Sequence, residues 1–169
     1  DNPVYVKGVS IALSANPQSD PTFDFLAWKP TLAAARDVYK QAGITNPMQQ
    51  IHLAQLHDCF TMTELLTYED LGFIAKGSAS EHITSGTFAL DGELPVNTDG
   101  GLKTFGHPTG ATGVRMLYEN VLQLQGRAGA RQVKGATIAL SHNLGGAPQT
   151  CGLAILGIEV QGDGGTLFY

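Results

Sequence analysis

The sequence predicts an α/β fold, a mixed β-sheet covered by helices in the order β-α-β-α-(loop)-α-β-β. Three observations carry this. Runs rich in β-branched and other apolar residues open and close the chain, at residues 4–13 and 150–158. Between them, segments with apolar residues at helical spacing alternate with short apolar runs. A glycine-rich loop, residues 97–113, feeds straight into one of the helical segments. With 169 residues, 43% of them hydrophobic and 15% charged, the chain is long enough for one domain with a substantial core. Its 21 glycines call for many tight turns.

Val4, Tyr5, Val6, Val9, Ile11 and Leu13 form the opening strand. Residues 16–30 are polar and proline-bearing and read as a loop. Phe23, Phe25, Leu26 and Trp28 are too apolar for a free linker, and suit a cleft cover or an interface. A first helix spans about 31–42, with Leu32, Ala35, Val38, Tyr39 and Ala42 on one face and Gly43 placed to end it. Residues 49–56 read as a second strand. Thr61 and Glu64 have capping-box spacing, so a second helix starts there, carries Met62, Leu65, Leu66 and Leu71, and stops at Gly72.

Residues 73–96 show weak periodicity and read as a loop, with a short extended piece at 87–90. The third helix begins directly after the glycine loop, with Val114, Leu117, Tyr118, Val121 and Leu124 on one face, and ends near Gly126. Residues 137–140 form a strand, 141–146 a sharp turn and 150–158 a returning strand. The last two strands are close enough for an antiparallel hairpin. The domain spans residues 1–160, and 161–169 form a frayed tail.

Net charge is −5 with no basic cluster, which argues against a nucleic-acid partner. No apolar run is long enough to cross a membrane. Cys59 and Cys151 could pair, but nothing else suggests a disulfide scaffold, so reduced thiols in a cytoplasmic setting are expected. No Cys/His spacing fits structural zinc, and no metal site is expected.

Three polar islands interrupt the apolar elements: His57-Asp58-Cys59-Phe60 at a strand end, His107 in the glycine loop, and His142-Asn143 in the turn after a strand. Sites in open α/β sheets gather at strand C-termini and helix N-termini, so these islands can converge. Pro108 suits a first helical turn, which would set His107 at the positive end of the third helix. A neutral imidazole there can accept a proton. Cys59 just precedes a helix, a setting that favours thiolate, although a buried apolar cysteine is the plainer alternative. Cys151, inside an apolar run, reads as core. His142-Asn143 fits a turn histidine with a backbone-bonding Asn as well as it fits a site.

The run Asn97-Thr98-Asp99-Gly100-Gly101-Leu102-Lys103-Thr104-Phe105-Gly106-His107-Pro108 closely resembles the Gly-His-Pro loop of the thiolase superfamily. The resemblance extends from Asn2-Pro3-Val4 to Ala154-Ile155-Leu156-Gly157, and covers the C-terminal half of a thiolase subunit. His57-Asp58-Cys59-Phe60 resembles the sterol carrier protein 2-type branch and its acetyl-CoA acetyltransferase-like relatives. Conventional thiolases have Asn-Glu-Ala-Phe in that loop and a later Cys-X-Gly. Here the later loop reads His142-Asn143-Leu144-Gly145-Gly146, without a cysteine at its start, as in the same branch.

The resemblance implies that His107 is the base for a nucleophilic cysteine. It implies that His57 orients a water or the oxyanion, and that Cys59 exchanges the α-carbon proton. The backbone around His142, Asn143, Gly145 and Gly146 would form an oxyanion or substrate loop. The substrate would be a coenzyme A thioester, with no cofactor held permanently. The acylated cysteine would lie in an N-terminal half, in the same polypeptide or a separate chain, within a homo- or hetero-oligomer. The branch also contains retroaldolases that work with a small OB-fold-like partner. A carbon–carbon lyase and a non-catalytic scaffold subunit are therefore the alternatives.

Overall fold

The computed structural model describes residues 3–16, 18–146 and 148–158. Its elements run β1 (Tyr5–Leu13), α1 (Lys29–Ala42), α2 (Pro47–Gln50), β2 (Leu53–Leu56), α3 (Thr61–Asp70), α4 (Ala79–Thr84), α5 (Gly101–Phe105), α6 (Thr112–Leu124), a 3₁₀ turn (Gly129–Arg131), β3 (Ile138–Gly145) and β4 (Thr150–Gly157). Among the described residues the strands form one sheet in the order β1-β4-β3-β2. β4 runs antiparallel to both β1 and β3, and β2 runs parallel to β3. The mixed α/β sheet covered by helices is therefore as the sequence predicts.

Period-2 alternation sorts the strand residues onto two faces. Leu140, Leu144, Cys151, Leu153 and Ile155 meet Ala34, Ala35 and Val38 of α1. Ala139 and Leu156 face the other way, against Leu117, Val121 and Leu124 of α6 with Leu53. Both cysteines are free thiols, and Cys151 lies in the α1-side core.

Several local expectations are corrected. Residues 49–56 are not one strand. Pro47 starts a helical turn, Gln50 Oε1 accepts from the Thr45 and Asn46 amides at 2.7 and 2.6 Å, and only Leu53–Leu56 is extended. The segment 73–96 contains α4, and no strand forms at 87–90. Phe88 instead stacks on Tyr68 with ring centroids 3.8 Å apart. The capping box does not form: the cap position is Phe60, and Glu64 accepts from Tyr68, Asn97 and Lys103.

The third long helix starts at Thr112, not at Pro108, whose carbonyl instead accepts from the Ala111 and Thr112 amides. The turn expected at 141–146 is mostly strand: His142, Asn143 and Gly145 belong to β3, and Gly146 opens the turn. The tail at 161–169 lies outside the described residues.

β1 holds the least expected feature. Its apolar residues do not face the core. Val6, Val9, Ile11 and Leu13 are 58–75% exposed, while Gly8 and Ser10 are buried beneath α1. A Cβ on Gly8 would come within 3.0 Å of the Val38 carbonyl, so the small residues let α1 approach closely. The register sets Val9, Ile11 and Leu13 opposite Ala154, Gly152 and Thr150, on the α6 side of the sheet but beyond the reach of α6. Among the described residues nothing covers this apolar stripe.

Candidate active site

His57 follows the last residue of β2 and is 5% exposed. Asn97, at φ 51°, tethers that strand end: its Oδ1 accepts from the Leu56 amide at 2.8 Å and its own amide donates to Ala54. Asp58, 2% exposed, reaches across to the glycine loop. Its Oδ1 accepts from the Leu102 amide at 2.7 Å, which fastens α5 beneath the His57 turn. The motif around His57 is thus tied to the loop that carries His107.

The two histidines meet edge to face, with ring centroids 5.0 Å apart. Each Nδ1 has a partner: Asn143 Oδ1 at 2.6 Å from His57, and Thr112 Oγ1 at 2.7 Å from His107. Cys59 is half-buried, with its thiol 3.8 Å from the Thr63 hydroxyl. His107 stands five residues ahead of α6 and reaches it through Thr112, the first helical residue.

β3 separates two residues that the sequence reading kept together. As strand neighbours, His142 and Asn143 point to opposite faces. Asn143 joins His57 on the α6 side, while His142 is fully buried on the α1 side, 3.0 Å from Thr31 Oγ1. His142 does not line the His57–His107 site. Thr112, Asn97 and Asp58 do support it. Asp58 was visible within the motif, but a hydroxyl five residues after His107 carries no sequence signal.

A concavity of about 160 Å³ lies nearby, lined by Asp99, Phe105, Arg115, Tyr118, Glu119 and Arg131 among others. None of the candidate site residues lines it. Arg115 is occupied there by Asp99, by Gln55 at 3.3 Å and by the Phe105 ring at 5.1 Å. This cluster ties α6 to the glycine loop. Among the described residues no cluster of three His, Cys, Asp or Glu side chains could hold a metal ion. No helix there is long and apolar enough to cross a membrane.

Burial is the main cause that pushes His57 below the ordinary imidazole range; the neighbouring His107 adds to it, while the Asn143 bond and the Asp58 charge oppose it. Burial likewise pushes His142 down to about 3, with His57 adding to the effect. Both rings are therefore neutral in the fold at pH values where the unfolded chain binds protons. Stability is fully present above the ordinary histidine value of about 6.5 and is lost as pH falls toward the folded values. Urea unfolding should show a free energy that declines from pH 7 to 5, by up to about 1.4 kcal/mol per pH unit for each such histidine. His142→Gln should flatten the slope. An unfolding free energy that stays level over this range in the unsubstituted protein contradicts the assignment.

A family model described as thiolase C-terminal domain-like matches residues 14–158. An acetyl-CoA acetyltransferase of Methanothermobacter thermautotrophicus is 43% identical over 155 residues, which are 92% of this chain and 40% of that protein. Sterol carrier protein 2 of Homo sapiens is 46% identical over 112 residues, 66% of this chain and 20% of that protein. A solved structure titled Ltp2-ChsH2(DUF35) aldolase matches with a TM-score of 0.76 and 28% identity, covering 92% of this chain and 40% of that one. This chain spans less than half the length of each of these relatives. By motif, sheet topology and match across residues 14–158, the chain belongs to the thiolase C-terminal-domain family.

Proposed function

We propose that this chain is the acid/base half of a thiolase-type acyltransferase, acting on acyl-CoA thioesters by Claisen condensation or thiolysis. The observation that carries this reading is the His57–His107 pair, 5.0 Å apart, each ring held at Nδ1, with Cys59 two residues from one of them. A coenzyme A thioester is the substrate, and no cofactor is held between turnovers. The nucleophilic cysteine comes from an N-terminal half, covalently continuous or a separate chain.

In the first step His107 accepts the proton of that cysteine as its sulfur bonds to the acyl carbon. The carbonyl pair moves onto oxygen, where a water that donates one hydrogen to His57 Nε2 turns its other hydrogen to the charge. The C–S bond to coenzyme A then breaks, and the departing thiolate takes the proton. In the second step Cys59 removes the α-proton of another thioester. The carbanion attacks the acyl carbon, a C–C bond forms, and the enzyme cysteine leaves and takes up the proton that Cys59 removed. His142, on the far face, takes no part.

The bare stripe Val6-Val9-Ile11-Leu13 supports the need for a second half. A contiguous exposed apolar face of this kind marks an interaction site. The loop expected for that purpose is only partly available: Phe25 and Leu26 are exposed, but Trp28 packs against the core. A retroaldol carbon–carbon lyase on a β-hydroxyacyl-CoA is the second reading, favoured by the likeness to the solved aldolase structure.

One measurement separates the two. The full-length protein, together with any chain that co-purifies, is incubated with acetyl-CoA and its intact mass is taken. A one-acetyl increase on the half that bears the cysteine is the expected result. A protein that gains no acetyl group yet cleaves a β-hydroxyacyl-CoA establishes the lyase reading instead.

A further inference from the structure

We propose that the Asn143 side chain is a positioning residue that sets which nitrogen of His57 carries the proton. It holds the ring as the Nδ1–H tautomer and leaves Nε2 as the atom that exchanges a proton at the site. The catalytic consequence rests on the thiolase-type reading; the geometry does not.

The first observation is the contact itself. Asn143 Oδ1 lies 2.6 Å from His57 Nδ1, across 86 residues of sequence. An amide oxygen can only accept, so Nδ1 must donate, and in a neutral ring Nε2 then holds the lone pair. The second is the packing behind the amide. A Cβ at Gly113 of α6 would come within 3.0 Å of Asn143 Nδ2, so the amide is seated against a position with no side chain. The third is strand parity, which sends Asn143 and not His142 to this face.

The arrangement at His107 matches. Thr112 Oγ1, 2.7 Å from His107 Nδ1, also lies 3.3 Å from the Pro108 carbonyl. A hydroxyl that donates to Pro108 has its oxygen free to accept from His107 Nδ1–H. Both rings then present Nε2 as acceptor. A cation on His107 disfavours protonation of His57. The orientation of each ring is set from behind, by Asn143 and Thr112.

The test uses the full-length protein, assembled with any chain that completes it and labelled with ¹⁵N-histidine. Long-range ¹H–¹⁵N correlation spectra report the tautomer directly, and His57→Gln identifies the peaks. Above its titration midpoint, His57 should show the Nδ1–H pattern. Asn143→Asp keeps the shape and offers only acceptors. It should keep that pattern and raise the midpoint by about 1–3 pH units, as expected for an adjacent opposite charge. Asn143→Leu removes the acceptor at similar volume and should shift the ring toward Nε2–H. An Nε2–H pattern in the unsubstituted protein, or an unchanged pattern in a folded Leu variant, overturns the proposal. If the Leu variant does not fold, the other two spectra decide: Nδ1–H with a raised midpoint in Asn143→Asp supports it, and any other result overturns it. None of these readouts needs turnover. An Nδ1–H ring in a protein that never forms an acyl-enzyme would sink the thiolase-type reading and leave the positioning role standing.

Discussion

Cys59→Ala, made in the assembled enzyme, should leave acylation by acetyl-CoA intact and lower condensation or thiolysis by about 10²–10⁴-fold, the usual loss for a positioned acid/base. The split follows from the proposed division of labour. The first half-reaction needs a base for the nucleophile, which is His107, and donors for the oxyanion, which are His107 once it carries that proton and a water held by His57. Only the second half-reaction moves a proton at the α-carbon. His107→Ala should instead depress both steps, since the nucleophile loses its base and the oxyanion a donor. Acylation is read by intact mass and turnover by release of coenzyme A thiol. Unchanged turnover in Cys59→Ala would remove that residue from the mechanism. Retroaldol cleavage that persists in the same variant, with no acyl-enzyme at any stage, would favour the lyase reading.

Gly101→Ala should destabilise the fold by roughly 3 kcal/mol or more and disable the site at the same time. Gly101 has φ +64°, which an L side chain adopts only under strain, and an added Cβ would sit 2.3 Å from Asp58 Oδ2. Asp58 cannot retreat cheaply. It is 2% exposed, and its other oxygen accepts from the Leu102 amide at 2.7 Å. Displacing the carboxylate would leave that buried donor unpaired and pull His57 and Cys59 with it. Urea unfolding measures the stability loss, and the ¹⁵N-histidine spectrum reports the site. Gly126 is the control: its φ of +72° is close to that of Gly101, but an added Cβ meets nothing within 4 Å. Gly126→Ala should therefore carry the backbone strain alone and cost less. Equal losses in the two variants would show that the Asp58 contact contributes nothing.

The bare face of β1 shows where local reading stops. Alternating Val9, Ile11 and Leu13 mark a strand with one apolar face, and period-2 patterning makes that legible. Which face the rest of the chain covers depends on where α1 sits, and α1 lies against Gly8 and Ser10. The apolar stripe is the outward one because, among the described residues, no element packs over that side of β1. Apolarity in a sequence records that something will be buried, without recording by what.

The sequence by itself determined the α/β class, the long helices, the opening and closing strands and the two motifs that hold His57, Cys59 and His107. These depend on short-range periodicity, on glycine and proline, and on residue strings that stay adjacent in any fold. Tertiary structure alone decided which of those residues meet. His57 and His107 come together because Asp58 fastens α5 and its glycine loop to the end of β2, a contact between residues 44 apart. His142 and Asn143 part because β3 continues through them rather than turning, and a one-residue step in a strand reverses the face. Strand parity is fixed by pairing with β4, a long-range hydrogen-bond register, so no local pattern at 141–146 could have told the buried histidine from the asparagine that holds His57.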